Sequence, residues 1–412
     1  MKQTNIHYGY VIVFCCCLIM GIDVGLPMSC AGIFYQPVSE ELGVTVGKFG
    51  LYMSFNFLAS TLMLSIAGKM MERFSARLLL SLSSIVLGLT FVAMGFFNAV
   101  WQFYIAGGVT GATLAFLLYL SFPTLLNRWF RTRVGFFIGV CSAASGIGGI
   151  LFNPVGAWLI TNYGWRTTYG IFGAIVLLVV TPIIALLLRN YPKDKDLQAY
   201  GEETSSNLDK SAKQATLSST SDISFSRAIR MPVFYGLIVF AFLLMAVSTL
   251  NLFIPKYVTG LEFSLEQASL VASAVMVGVT VGKIILGLIN DRNNLLGVIT
   301  TVTCGIVGIV LLLAGGLGFW APALGGFLFG WEYAGVTVQT PMLVRAVFGS
   351  KDYTQIYSNI SIALAAGGAV AAGGWGLLSD ATSFQFIFTL GIILLAVCGA
   401  IGIYALKSRK RA

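Results

Sequence analysis

The chain has 412 residues, 57% of them hydrophobic and only 10% charged, with a mean hydropathy of +0.87. A soluble domain carries about 25% charged residues, so a water-soluble enzyme is excluded. Twelve bilayer spans of roughly 20 residues each would absorb the hydrophobic excess. The net charge of +9 would raise the question of nucleic acid in a soluble protein; the placement of the basic residues, given below, makes it an orientation signal instead.

Hydrophobic runs predict helices over 8–34, 47–70, 76–97, 101–126, 134–158 and 168–188, then over 233–255, 266–289, 295–317, 320–346, 354–378 and 384–406. Barrel strands would be about 10 residues long and would alternate, so the expected fold is an all-α membrane protein of twelve transmembrane helices. The first run is longer than a signal-peptide core and lacks an A-x-A site, so it reads as a retained helix. The polar stretch near 191–230, with Gly201-Glu202-Glu203-Thr204 at its heart, holds too few apolar residues to fold and reads as a linker. It divides the chain into an N-terminal six-helix half, 1–190, and a C-terminal six-helix half, 231–412. Of 25 Lys and Arg, only Lys48, Arg166 and Lys256 fall outside and Lys283 falls within a span when the N-terminus is placed inside. The positive-inside rule then puts both termini and the linker in the cytoplasm of a multi-pass cell-membrane protein.

The halves repeat a motif. Gly68-x-x-x-Glu72-Arg73 follows the second span and Gly287-x-x-x-Asp291-Arg292 follows the eighth. The glycine permits close helix approach, the acid can face a neighbouring helix N-terminus, and the arginine stays in the headgroup zone. A gating loop is the expected role. Seven cysteines lie in apolar runs, none in a C-x-x-C pair and with only His7 as a histidine partner, so no metal site or cofactor is expected.

Two six-helix halves with this repeated loop resemble the major facilitator superfamily. The segments His7-Tyr8-Gly9-Tyr10-Val11-Ile12-Val13, Phe34-Tyr35-Gln36-Pro37-Val38, Asn127-Arg128-Trp129-Phe130 with Arg131, Arg133 and Gly135, Gly146-Ile147-Gly148-Gly149 with Pro154, and Gly164-Trp165-Arg166 narrow the resemblance. They are similar to the bacterial monocarboxylate transporters and the oxalate/formate antiporters. That resemblance implies alternating-access transport of a small organic anion such as lactate or pyruvate. It also implies a substrate-binding arginine in helix eight, eight residues before the loop acid. Here that position is Lys283, a cation without the bidentate fork of arginine. The helix-eleven lysine of the oxalate antiporters has no counterpart in 354–378.

Ionisable residues inside a membrane are costly and point to function. Asp23 lies roughly 22 Å along the first helix, among Gly21, Gly25 and Pro27, where a broken helix is expected. Lys283 follows Gly278 and Gly282, a small-xxx-small pair that admits a close neighbour. Glu332 sits between Trp331 and Tyr333 in helix ten. Lys283 is expected to attract a substrate carboxylate, or else to form a structural ion pair with Asp23 or Glu332. The two acids are expected to carry a coupling proton, or else to be satisfied structural acids. Tyr119, Tyr333, Asn56, Asn251, Asn359 and Gln339, which shares a face with Glu332, are expected to line the pocket, with interhelical bonding as the alternative for each.

Glycine-rich runs in helices four, five and eleven read as packing seams, and no Walker lysine occurs, so ATP-driven transport and enzyme activity are not expected. The reading is a monomeric secondary transporter of small monocarboxylates by proton symport. Alternatives are an anion exchanger of the oxalate/formate type, a proton-driven exporter of cationic or amphipathic compounds, and a transporter-like sensor that moves no solute. The partners are then a small anion, protons and the lipid bilayer.

Overall fold

The structure, a computed structural model, describes residues 7–130, 134–201, 223–349 and 352–409. The middle of the expected linker, 202–222, lies outside the described residues, as do Arg131 and Arg133; so does the side chain of Glu72.

Among the described residues, twelve membrane-length helices follow in order. They are α1 (Gly9–Leu42), α2 (Val46–Arg73), α3 (Ala76–Met94), α4 (Val100–Leu126), α5 (134–163), α6 (165–187), α7 (Pro232–Thr259), α8 (Leu265–Arg292), α9 (Asn294–Leu313), α10 (Trp320–Phe348), α11 (Tyr353–Ala381) and α12 (Phe384–Arg409). The architecture is the expected all-α membrane fold. α2 and α10 reach membrane length with a more polar composition, Asn56 on one and Glu332 on the other. α5 and α6 run almost without interruption and are parted at Gly164, whose φ of 79° and ψ of 160° belong to no helix. That φ is open to glycine and strained for other residues. α1 extends past the expected limit of 34, because its last turns, Tyr35–Leu42, carry Gln36, Glu40 and Glu41 and so drop out of a hydropathy profile.

Local chemistry sets the boundaries. Thr45, Ser75, Ser264 and Asn293 accept hydrogen bonds from the first-turn amides of α2, α3, α8 and α9, as N-cap residues do. Gly43 closes α1 in the left-handed region, at φ 63°. Outward faces carry exposed Leu62, Ile66, Leu82, Leu89, Ile105, Leu151 and Leu178. A helix satisfies its own backbone, so such apolar faces are suited to hydrocarbon.

Contacts between the first six helices and the last six run along α5 with α8 and α2 with α11. Glycines make these approaches close. A Cβ on Gly146 of α5 would lie 2.1 Å from Thr280 Oγ1 of α8, and one on Gly47 would lie 2.4 Å from the Gly376 carbonyl carbon. The hydrogen bonds across the seam favour the face opposite the termini. There Gln36 accepts from Thr259, Glu40 pairs with Lys256 at 3.7 Å, and Asp380 accepts from the Gly47 amide at 3.1 Å. On the face of the termini the bonds stay within one group of six: Tyr8 to Leu187 O, His7 to Gln198 O, Trp129 to Arg189 O, and Phe225 N to Asp352. The seam is therefore fastened at the far face.

Candidate functional site

The expected break in α1 is present. Its α-helix gives way at Ile19 to a π-helical stretch, Ile19–Ser29, that contains Asp23 and Pro27, and then to a 3-10 turn, Ala31–Phe34. Pro27 lacks an amide hydrogen and cannot continue a regular ladder. Gly148 lets α5 come close to this stretch: a Cβ on Gly148 would lie 1.8 Å from the Gly21 carbonyl oxygen.

Asp23 is fully buried, and neither carboxylate oxygen has a hydrogen-bond partner within the described residues. Ser84 of α3 is near enough to act on it electrostatically, but that hydroxyl is engaged with Thr181 of α6 at 2.9 Å. Asp23 thus points into the first six helices. Glu332 is its counterpart in the last six. It is fully buried, and Ser248 Oγ of α7 lies 3.0 and 3.3 Å from its two oxygens. Its stem packs against α9, where a Cβ on Gly305 would lie 2.7 Å from Glu332 Cγ.

Lys283 behaves differently. Gly278 and Gly282 draw α8 against α10, as the small-xxx-small spacing predicts; a Cβ at Gly278 would lie 1.9 Å from Phe327 O. The Lys283 ammonium reaches across the seam to α5, donating to Ser142 O at 3.4 Å. Among the described residues it forms no ion pair with Asp23 or Glu332; the ion pairs there are Arg166–Glu41 and Lys256–Glu40.

The expected polar lining divides. Tyr119 on α4 is 39% exposed. Tyr333 and Asn251 line one small cavity together with Met28, Met53, Phe57, Met245, Ser248, Thr249 and Leu252. Asn251 also lines a second, with Ser29, Asn153 and Met276. Asn56 is buried and donates to Thr110 Oγ1 at 2.8 Å, beside a cavity lined by helices of the first six. Asn359 is exposed on α11 and has a contact of its own. Gln339 is buried and accepts from Asn290 of α8 at 2.9 Å, so it serves α8–α10 packing instead of lining one of these cavities. Ser142, Ser248 and Thr249 were missed, being small hydroxyls in apolar runs; their signal, a hydroxyl within one turn of Asn251, holds only for α7.

Arg73, Asp291 and Arg292 of the repeated loops are exposed. Among the described residues, a Cβ on Gly68 or Gly287 would meet nothing within 4 Å. The close approach expected at these glycines is not made in this state, in keeping with a seam fastened at the opposite face.

A twelve-helix bundle with a polar seam, a lysine that reaches across it and, among the described residues, two fully buried acids defines a membrane transporter. The family model of the Major Facilitator Superfamily matches residues 13–341, and the chain belongs to that family. It is 26% identical over 344 residues, 80% of either chain, to the uncharacterized MFS-type transporter YhjX of Escherichia coli (strain K12). It is 27% identical over 184 residues to monocarboxylate transporter 4 of Mus musculus, covering 43% of this chain and 37% of that one. Its fold is like that of a bacterial homolog of the human lysosomal transporter Spinster in its inward-facing and occupied conformation, with a TM-score of 0.76 at 13% identity over 98% of both chains. The nucleoside transporter NupG gives 0.72 at 13%, over 96% of this chain and 99% of that one.

Proposed function

We propose that the chain carries a small monocarboxylate, such as lactate or pyruvate, together with a proton, by alternating access between its two six-helix halves, 1–190 and 231–412, joined by the 191–230 linker. The protein is read as a monomer of the cell membrane with both termini in the cytoplasm.

One observation carries the reading. Lys283 projects into the α5–α8 seam with the Ser142 carbonyl as its partner, while Asp23 and Glu332 are turned into their own bundles. A half-buried cation without a carboxylate partner among the described residues is suited to an anion that arrives with one, through a charge-assisted hydrogen bond. Tyr119 and Tyr333 bring hydroxyl donors from either side of the seam. Because a bound anion neutralises Lys283, one proton on Asp23 or Glu332 lets the pair cross with little net charge. The similarity to monocarboxylate transporter 4 supports the anion; its limited coverage leaves the particular acid to experiment. The loops Gly68–Arg73 and Gly287–Arg292 are read as gates that engage when the seam closes at the face of the termini.

The test is uptake of labelled lactate or pyruvate by liposomes holding the purified chain under an inward proton gradient. Lys283→Ala should abolish it and Lys283→Arg should retain part of it. Wild-type uptake of either acid by the Lys283→Ala protein overturns the assignment. Efflux of organic cations without carboxylate uptake would move the function to the cation-export alternative.

A further inference from the structure

Ser248 touches two environments that are otherwise separate. It lines the small cavity shared by Tyr333, Thr249 and Asn251, and its Oγ lies 3.0 Å from the buried Glu332 carboxyl. The same Oγ lies 2.8 Å from Leu244 O one turn back in α7. A serine hydroxyl has one hydrogen to give and two lone pairs to accept with. Leu244 O can only accept. Both contacts are therefore filled together when Ser248 donates to Leu244 and Glu332 carries a proton that it donates to Ser248. When Glu332 is ionised, Ser248 turns its hydrogen to the carboxylate and leaves Leu244 O.

The surroundings of Glu332 fit such a switch. From α7 it meets Ser248 and from α9 the bare face of Gly305; the Cys398 thiol of α12 and, on its own helix, the Tyr333 hydroxyl are within electrostatic reach. No cation faces it among the described residues. Asp23 lacks the corresponding bridge: neither of its oxygens has a hydrogen-bond partner among the described residues.

We propose that Glu332 is the proton-carrying acid of the transport cycle and that Ser248 is the positioning residue through which its proton passes to and from the cavity. This rests on the proton-coupled reading above and chooses between its two acids. A proton leaving Glu332 is taken up by Ser248 Oγ as the Ser248 hydrogen passes to a water or substrate oxygen in the cavity, so the serine ends neutral. Return runs the same steps backwards.

The experiment compares two lactate fluxes in liposomes holding the full chain: uptake driven by a proton gradient, and lactate–lactate exchange, which needs no net proton movement. Glu332→Gln should lower gradient-driven uptake by about a hundredfold, the lower end of what a positioned proton-transfer group contributes, and far more than it lowers exchange. Ser248→Ala should give the same imbalance in milder form, and Ser248→Thr should restore the balance. In infrared difference spectra between low and high pH, the wild type should show a buried carboxyl band that Ser248→Ala shifts and Glu332→Gln removes. Should Glu332→Gln not fold, Ser248→Ala and its spectrum decide the matter. Normal gradient-driven uptake by either variant, or equal loss of both fluxes in Ser248→Ala, overturns the proposal. A wild type that takes up lactate without responding to the gradient overturns the coupled reading beneath it, a distinguishable result.

Discussion

Asp380 accepts a hydrogen bond from the Gly47 amide at 3.1 Å, so the end of α11 caps the first turn of α2 across the seam. The first amides of a helix have no partner within it, and a carboxylate there also meets the positive end of the helix dipole. The approach is so close that a Cβ on Gly47 would lie 2.3 Å from Asp380 Oδ2 and 2.5 Å from Gly376 O. Together with Gln36–Thr259 and Glu40–Lys256, this contact fastens the face opposite the termini. Asp380→Ala should cost that closed state about 1 kcal/mol, the usual loss for a removed cap. Gly47→Ala should cost more, since backbone atoms must part. The check is the rate of maleimide labelling at a Gln36→Cys substitution, expected to rise in both variants. Unchanged rates would show that Asp380 does not hold this face shut.

Glycine substitutions should divide by what a methyl group would meet. At Gly148 and Gly278 it would sit within 2 Å of a carbonyl oxygen on α1 or α10. Overpacking of this kind costs roughly 1–3 kcal/mol or more, so Gly148→Ala and Gly278→Ala should melt earlier in detergent. At Gly68 and Gly287 nothing among the described residues lies within 4 Å. Gly68→Ala and Gly287→Ala should keep the wild-type melting temperature in the state fastened at the far face. If these loops close the other face in turn, the same variants should slow transport. Normal flux in both would remove the gating role.

The sequence carried the helix count, a disturbance of the first helix near Asp23 and the three charges within the spans, because each follows from composition or from glycine and proline placed near a charge; that the disturbance is a π-helical stretch it did not carry. It did not carry the directions in which the charges point. Asp23, Lys283 and Glu332 read alike as polar residues in apolar runs, yet only Lys283 reaches across the seam. Direction depends on which neighbour supplies a hydroxyl or a gap, and Ser248 and Gly305 lie far from Glu332 in the chain. The α1 extension to Leu42 was hidden for a simpler reason: its polar turns lower the hydropathy on which the span was read.

Gln339 illustrates the same point and gives a third prediction. Spacing places it on the face of Glu332, but its Oε1 is taken by Asn290 Nδ2 at 2.9 Å, and Asn290 also donates to Leu286 O at 2.8 Å. Both side chains are buried. Removing one leaves the other without its partner, a cost of about 1–3 kcal/mol. Gln339→Ala and Asn290→Ala should therefore lower the melting temperature and leave the KM for substrate unaltered. A raised KM at unchanged stability would return Gln339 to the pocket.

Arg166 is where a family-like segment meets its physical cause. The positive φ of Gly164 ends α5 and turns the chain so that Trp165 and Arg166 begin α6. The Arg166 guanidinium donates to Glu41 at 2.9 Å, to Phe97 O at 2.8 Å, to Gly95 O at 3.2 Å and to Asn98 Oδ1 at 3.0 Å, and it stacks over Trp165 at 4.3 Å. Trp165 Nε1 donates to the other oxygen of Glu41. One planar fork thus ties the end of α1 and the α3–α4 loop to the start of α6. Lysine offers three donors from a single point and no plane to stack, so Arg166→Lys must give up the loop carbonyls or the carboxylate. The side chain is about one-third exposed, and screening tempers the loss to about 1 kcal/mol. The expected outcome is a modestly lower melting temperature and faster proteolysis within 95–99, with substrate KM unchanged. A raised KM at wild-type stability would mean that Arg166 meets the substrate.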